Sequence, residues 1–374
     1  MTVANRHSII DTKYHLFDNN RSKSNSALYR LNMMIYQRPM PPAGRHLLAV
    51  VFLPLLLAGA LMACRQDASS GGEVEGAPAT ERLTLPVLAP HTGDAPLRVV
   101  ATTGLVGDVV GRVGGAAIDL TVLMGPGQDP HSYQPGAADL AAVADADLIF
   151  VNGWNLEEGL LADLAAIAGA PFVPVSAGIT PRRIESDHGH DHDHGPADPH
   201  VWQDVGHVGQ WAENVRLALR AADPANAAIY DANAAAYRAT LAELAAELRQ
   251  TLAAIPAERR VFVTNHDNLG YFTAAYDFTS VGAVIPSVSS LAEPTAAGLA
   301  ALIDTMRATG VCAVVVEANA ADDLARVLQN ELTGCDEVRL IALYTDALGA
   351  AGSAADNYPG LMRANAAALV EGLR

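Results

Sequence analysis

The sequence predicts an α/β protein made of two four-stranded parallel-sheet lobes joined by one long helix. Three observations predict it. Short apolar runs alternate with amphipathic stretches twice along the 374 residues, as βαβ units of a parallel sheet do. Between the two series, residues 225–255 contain neither glycine nor proline, which favours uninterrupted helix. Four metal-ligand residue types stand at the carboxyl ends of strands, two in each half.

In the first series, residues 98–103 (RVVATT), 119–124 (DLTVLM), 147–152 (DLIFVN) and 172–176 (FVPVS) read as strands. Residues 105–115, 137–146 and 156–170 lie between them with helical spacing. The region from about 208 to 255 then reads as helix. Pro224 suits a first helical turn, and Ile229, Ala236, Leu241, Leu244, Leu248 and Leu252 recur at mostly helical spacing. A helix of roughly 30 residues is about 45 Å long, more than the width of a small domain, so it bridges the halves. In the second series VFVTNH (261–266), TSVGAVI (279–285), CAVVVEA (312–318) and EVRLIALYT (337–345) are strands. Helices are read at 268–277, 296–310, 321–332 and 357–374.

Ahead of the lobes, residues 45–64 read RHLLAVVFLPLLLAGALMAC. An apolar run of about 17 residues behind a basic flank is short for a membrane span and has the shape of a signal-peptide core. Its end, LMAC, resembles a bacterial lipobox, which makes Cys64 the lipidated first residue of the mature chain. An ordinary secretory signal or an uncleaved anchor is the alternative. Residues 1–39 carry no export pattern and read as a non-native extension, with Met40 as the start. The predicted organisation is therefore extension 1–39, signal peptide 40–63, lipidated cysteine and flexible tether 64–96, N-terminal lobe 97–206, linking helices 207–255 and C-terminal lobe 256–374. The Gly-, Pro- and Ser-rich tether leads to the expectation that order begins near Leu97. Export places Cys312 and Cys335 outside the reducing cytosol, where a disulfide between them is permitted; two buried thiols are the alternative.

Net charge is −17, from 24 basic and 41 acidic residues. That balance excludes the basic face a nucleic-acid partner requires; acidity is compatible with cation binding without demonstrating it.

Ligands of open parallel sheets bind beyond the carboxyl ends of the strands. His131 follows the second strand of the first half and His200 the fourth. His266 ends VFVTNH, and Asp346 follows RLIALYT. Three imidazoles and a carboxylate form a tetrahedral set suited to zinc. Singly, each has an ordinary reading as a solvated or turn-bonding residue. The tripeptide DPH occurs at both 129–131 and 198–200, and its proline restricts the residue before it and limits the freedom of the segment. Four ligand types at four corresponding strand ends argue for one shared site.

The segments GPGQDPHSYQP (125–135), DPHVWQD (198–204), VFVTNHDNLGYF (261–272) and LYTDALG (343–349) together resemble the signature segments of zinc/manganese solute-binding proteins of bacterial ABC importers. The resemblance runs from about residue 97 to the C-terminus. It implies two lobes joined by a long rigid helix, a metal buried in the cleft between them, and His131, His200, His266 and Asp346 as its ligands. It further implies an ABC permease as partner, a lipid anchor to the membrane, and a monomer at the periplasmic or extracellular face of the envelope. Manganese-preferring relatives usually place glutamate where this chain has His266, and imidazole in place of a hard carboxylate favours Zn2+ over Mn2+. Such relatives often read WLDP where residues 202–205 are WQDV, which leaves the ligand alone but questions the local turn.

The stretch HGHDHDHG (188–195), inside a loop at 187–195, falls where zinc-type members carry a His-rich loop. His188, His190, His192 and His194 are read as weak, auxiliary metal donors, because ordering a free loop costs entropy with each ligand recruited. A functionless polar loop is the alternative. The function expected is capture of Zn2+ outside the cytoplasm and delivery to the permease. A manganese or iron carrier and a metal-dependent adhesin are alternatives. A secreted zinc hydrolase is disfavoured: no HExxH occurs, four protein ligands fill the site, and AGSAA lacks a nucleophile elbow.

Overall fold

The computed structural model describes residues 82–93, 95–183, 197–318, 331, 332, 335 and 338–374. The extension, the signal segment, Cys64, the histidines of the 187–195 loop and most of the helix read at 321–332 lie outside the described residues.

Among the described residues, eight strands form two four-stranded, all-parallel sheets. β1 (Leu97–Ala101), β2 (Ile118–Val122), β3 (Leu148–Val151) and β4 (Phe172–Pro174) lie in the order β2-β1-β3-β4. β5 (Val261–His266), β6 (Thr279–Ile285), β7 (Ala313–Glu317) and β8 (Arg339–Leu343) lie in the order β6-β5-β7-β8. The central strand β3 is a continuous apolar run because both faces are covered; all four of its residues are buried. The first lobe carries α1 (Gly104–Gly114), α2 (Ala137–Asp145) and α3 (Leu160–Ile167). α1 begins at Thr103, whose hydroxyl accepts from Val106 N at 3.1 Å. It lies close on the edge strand, since a Cβ on Gly107 would stand 2.5 Å from Val122 Cγ2.

The helical region holds two helices, with Pro224 in the turn before the longer one. α4 (Val205–Ala222) ends at Asp223, a 3-10 turn covers Pro224–Asn226, and α5 (Ala227–Leu252) continues. Asp223 stops α4 by turning its carboxylate to the next helix, accepting from Asn226 Nδ2 at 2.7 Å and Tyr230 OH at 2.6 Å. The 26 residues of α5 span about 39 Å. Of the expected inward residues Leu241, Leu244, Leu248 and Leu252 are buried, whereas Ile229 and Ala236 are exposed and Tyr230, Ala234 and Tyr237 take the inward positions of the first turns. Tyrosine takes the inward positions because the ring packs while its hydroxyl finds a carboxylate, Asp223 for Tyr230 and Asp108 for Tyr237.

α6 (Gly270–Tyr276), α7 (Ala296–Thr309) and α8 (Tyr358–Leu373) belong to the second lobe. α5 packs against α4, against α1 of the first lobe and against α8 of the second. One apolar cluster runs through this spine, joining Val109, Leu244, Leu361 and Leu343. A shared core of this kind holds the lobes more firmly than a polar linker would.

Ordered packing begins earlier than the expected Leu97. Residues 82–93, read as the end of the tether, lie on the first lobe: Leu85 and Leu88 pack against its core. Leu83 O accepts from Gly178 N at 2.9 Å and His91 N donates to Ala222 O at 2.6 Å. Cys312 and Cys335 are joined by a disulfide, their Cα atoms 5.8 Å apart. Among the described residues, no helix is long and apolar enough to cross a membrane.

Candidate metal centre

Each DPH segment makes a small turn in which the aspartate captures the histidine's own amide. Asp129 Oδ1 accepts from His131 N at 2.9 Å and Asp198 Oδ1 accepts from His200 N at 3.0 Å, a side-chain turn that presents the imidazole at a fixed angle. His131 sits beyond β2, and His200 opens the 3-10 turn Val201–Gln203 before α4. His266 is the last residue of β5 and Asp346 stands three residues beyond β8. The strand ends of both sheets thus converge on one point.

There the four side chains meet. One ligand atom from each of His131, His200, His266 and Asp346 lies within 4.8 Å of all the others, and all four residues are buried. His131 Nε2 is 3.3 Å from His200 Nε2, His266 Nε2 is 3.2 Å from Asp346 Oδ2, and His200 Nε2 is 3.8 Å from Asp346 Oδ1. A tetrahedral ion with bonds of about 2.0–2.1 Å holds its donors roughly 3.3–3.4 Å apart. His131–His200 and His266–Asp346 already stand near that spacing, while the set as a whole lies within 4.8 Å.

The electrostatics favour a cation. Burial and the neighbouring His200 push His131 below the ordinary imidazole range, leaving its lone pair free. Burial opposes ionisation of Asp346, but His266, His200 and His131 outweigh it and hold the carboxyl far below its usual value. Burial likewise disfavours charge on His266, yet Asp346 and Glu317 overcome it and raise this histidine. A divalent cation would take the place of the proton that Asp346 favours on His266.

Partners the sequence reading missed hold the rings. His200 Nδ1 lies 2.8 Å from Asp198 Oδ1, and His131 Nδ1 3.3 Å from Glu158 Oε1. Such carboxylates fix the tautomer that leaves Nε2 for a metal. His266 Nδ1 has no hydrogen-bond partner among the described residues. Asp129 uses its second oxygen differently, accepting from Ser290 Oγ of the other lobe at 2.7 Å. Thr345 O receives both Trp202 Nε1 and Gln203 Nε2 at 2.8 Å, so the His200 turn and the Asp346 loop are stitched across the cleft. Gln203 therefore serves the WQDV turn directly, and Asp204 caps α4 through Gly206 N at 2.8 Å. A signal was available for two of these partners: an aspartate two residues before each histidine is the usual acceptor of a side-chain turn. None marked Glu158 or Ser290, whose partners are distant in sequence. His131 also borders a pocket of about 830 Å³ with Trp154, Glu158 and Val288, which gives the site an edge toward solvent.

The family model described as the periplasmic zinc-uptake complex component A matches residues 99–372. The manganese-binding lipoprotein MntA of Halalkalibacterium halodurans is 33% identical over 277 residues, 74% of this chain and 88% of that protein. The manganese ABC transporter substrate-binding lipoprotein PsaA of Streptococcus pneumoniae is 30% identical over 285 residues, 74% of this chain and 89% of that protein. Among solved structures, the periplasmic zinc binding protein TroA from Treponema pallidum is similar with a TM-score of 0.66 and 30% identity, covering 74% of this chain and 99% of that one.

Proposed function

The chain belongs to the family of the periplasmic zinc-uptake complex component A, and from that premise we propose that it captures Zn2+ and hands it to an ABC permease. Members of this family are extracytoplasmic metal-binding solute-binding proteins of ABC importers, not enzymes, and this chain shares that role. The finer assignment concerns the ion and its donors. His131, His200, His266 and Asp346 are its ligands in this reading. The observation that carries it is the convergence of four buried donors from two lobes, all within 4.8 Å of one another. Three imidazoles against one carboxylate favour Zn2+ over a hard, oxygen-seeking ion. Manganese is the second reading, favoured by the names of the relatives MntA and PsaA.

In this reading Cys64 anchors the protein to the membrane through a lipid. The histidines His188, His190, His192 and His194 supply weak, fast-exchanging sites, and the protein works as a monomer. Direct competition decides between the ions: apo-protein is titrated with Zn2+ and Mn2+ against a chelator of known affinity. Tighter binding of Zn2+ is expected; tighter binding of Mn2+ at neutral pH overturns the zinc assignment and leaves the family role standing.

A further inference from the structure

The order β6-β5-β7-β8 places β7 between the strands that carry the two ligands of the second lobe. His266 ends β5, Asp346 follows β8, and the residue ending β7 between them is Glu317. This carboxylate is not among the four converging donors. Its Oε2 is engaged by the amide of Thr345 at 3.0 Å and by the Thr345 hydroxyl. Its Oε1 is buried and has no hydrogen-bond partner among the described residues. Glu317, His266, Asp346, Asp129, Asn265 and Ser290 line a pocket of about 80 Å³. A polar pocket of that size has room for ordered water, which needs two to four polar partners.

We propose that Glu317 sets the cation preference of the site: its free oxygen accepts a hydrogen bond from a water that the cation carries into this pocket, adding an oxygen donor to the three imidazoles and one carboxylate. The proposal rests on the four-residue metal site put forward above. A strictly tetrahedral ion is satisfied by the four side chains, whereas Mn2+ seeks more donors and harder ones. Glu317 and its water thereby keep Mn2+ within reach of an imidazole-rich site.

Glu317→Gln tests this, because the amide oxygen can still accept from Thr345 while an NH2 replaces the free acceptor. Apo-protein and variant are titrated with Mn2+ and Zn2+, and their Co2+ complexes are recorded in the visible. The variant is expected to lose about tenfold in Mn2+ affinity with little change for Zn2+, and its Co2+ bands to strengthen toward a four-coordinate spectrum. Equal loss for both ions, or no loss with an unchanged Co2+ spectrum, overturns the proposal. Should the variant not fold, electron–nuclear double resonance of the Mn2+-loaded wild type in D2O takes its place: exchangeable deuterons of a bound water are expected, and their absence overturns the proposal. His200→Ala is the control. If it binds metal as the wild type does, the four-residue site fails and the Glu317 role with it; if it loses the metal while Glu317→Gln leaves the ion preference intact, only the Glu317 role fails.

Discussion

Replacing Asp198 by alanine removes one oxygen that serves two donors, His200 N at 3.0 Å and His200 Nδ1 at 2.8 Å. Both residues are buried, His200 fully and Asp198 to within 2%. The imidazole then loses what fixes its tautomer and its angle, although every proposed ligand is still present. Removing such a partner typically costs 10–100-fold in metal affinity, about 1.4–2.7 kcal/mol. A second effect falls on the metal-free protein, where an unpaired buried N–H costs about 1–3 kcal/mol; its thermal midpoint should fall as well. Asp198→Asn keeps an acceptor and loses the charge. Because charge-assisted hydrogen bonds are roughly twice as strong as neutral ones, its loss of affinity should be clearly smaller than that of alanine. Competition titration with Zn2+ at neutral pH reads both variants. An Asp198→Ala affinity within about twofold of wild type would refute the idea that this carboxylate organises the site.

His131→Ala and His266→Ala should each abolish high-affinity Zn2+ binding, as each removes one of four donors; calorimetry finding unchanged affinity for either rejects that ligand. Zn2+ affinity should weaken as pH falls from 8 to 5, because imidazoles coordinate only when deprotonated. The loss begins above the ordinary imidazole pKa of about 6.5, since Asp346 raises His266 and the metal must displace that proton. It continues at lower pH as His131, which is held down, takes up its own. A flat profile over this range contradicts the electrostatic account. Deleting residues 187–195 should spare the tight site and remove weaker equivalents of Zn2+; disappearance of tight binding would reverse the auxiliary role given to that loop.

The two sheets were legible because parallel strands covered on both faces leave continuous apolar runs such as LIFV at 148–151. Strand ends then point to His131, His200, His266 and Asp346 without any knowledge of side-chain contacts, and the structure brings these four together. The inward face of α5 was misjudged where tyrosines took the buried positions, since a hydropathy pattern ranks Ile229 above Tyr230 while a capping carboxylate reverses the order. Residues 82–93 escaped notice because leucines spaced among prolines bury little surface each, and their partners lie far along the chain. Distance in sequence hid the remaining parts of the site too. Glu158 is 27 residues from His131 and Ser290 is 161 from Asp129, so no local pattern could pair them.

The central claim is that two lobes share one ion through four named side chains. Diffraction from a Zn2+-loaded crystal, recorded on both sides of the zinc absorption edge, tests it most directly. A strong anomalous peak is expected about 2.0–2.2 Å from a ring nitrogen of each of His131, His200 and His266 and from a carboxylate oxygen of Asp346. A principal peak that any of these four residues fails to touch contradicts it.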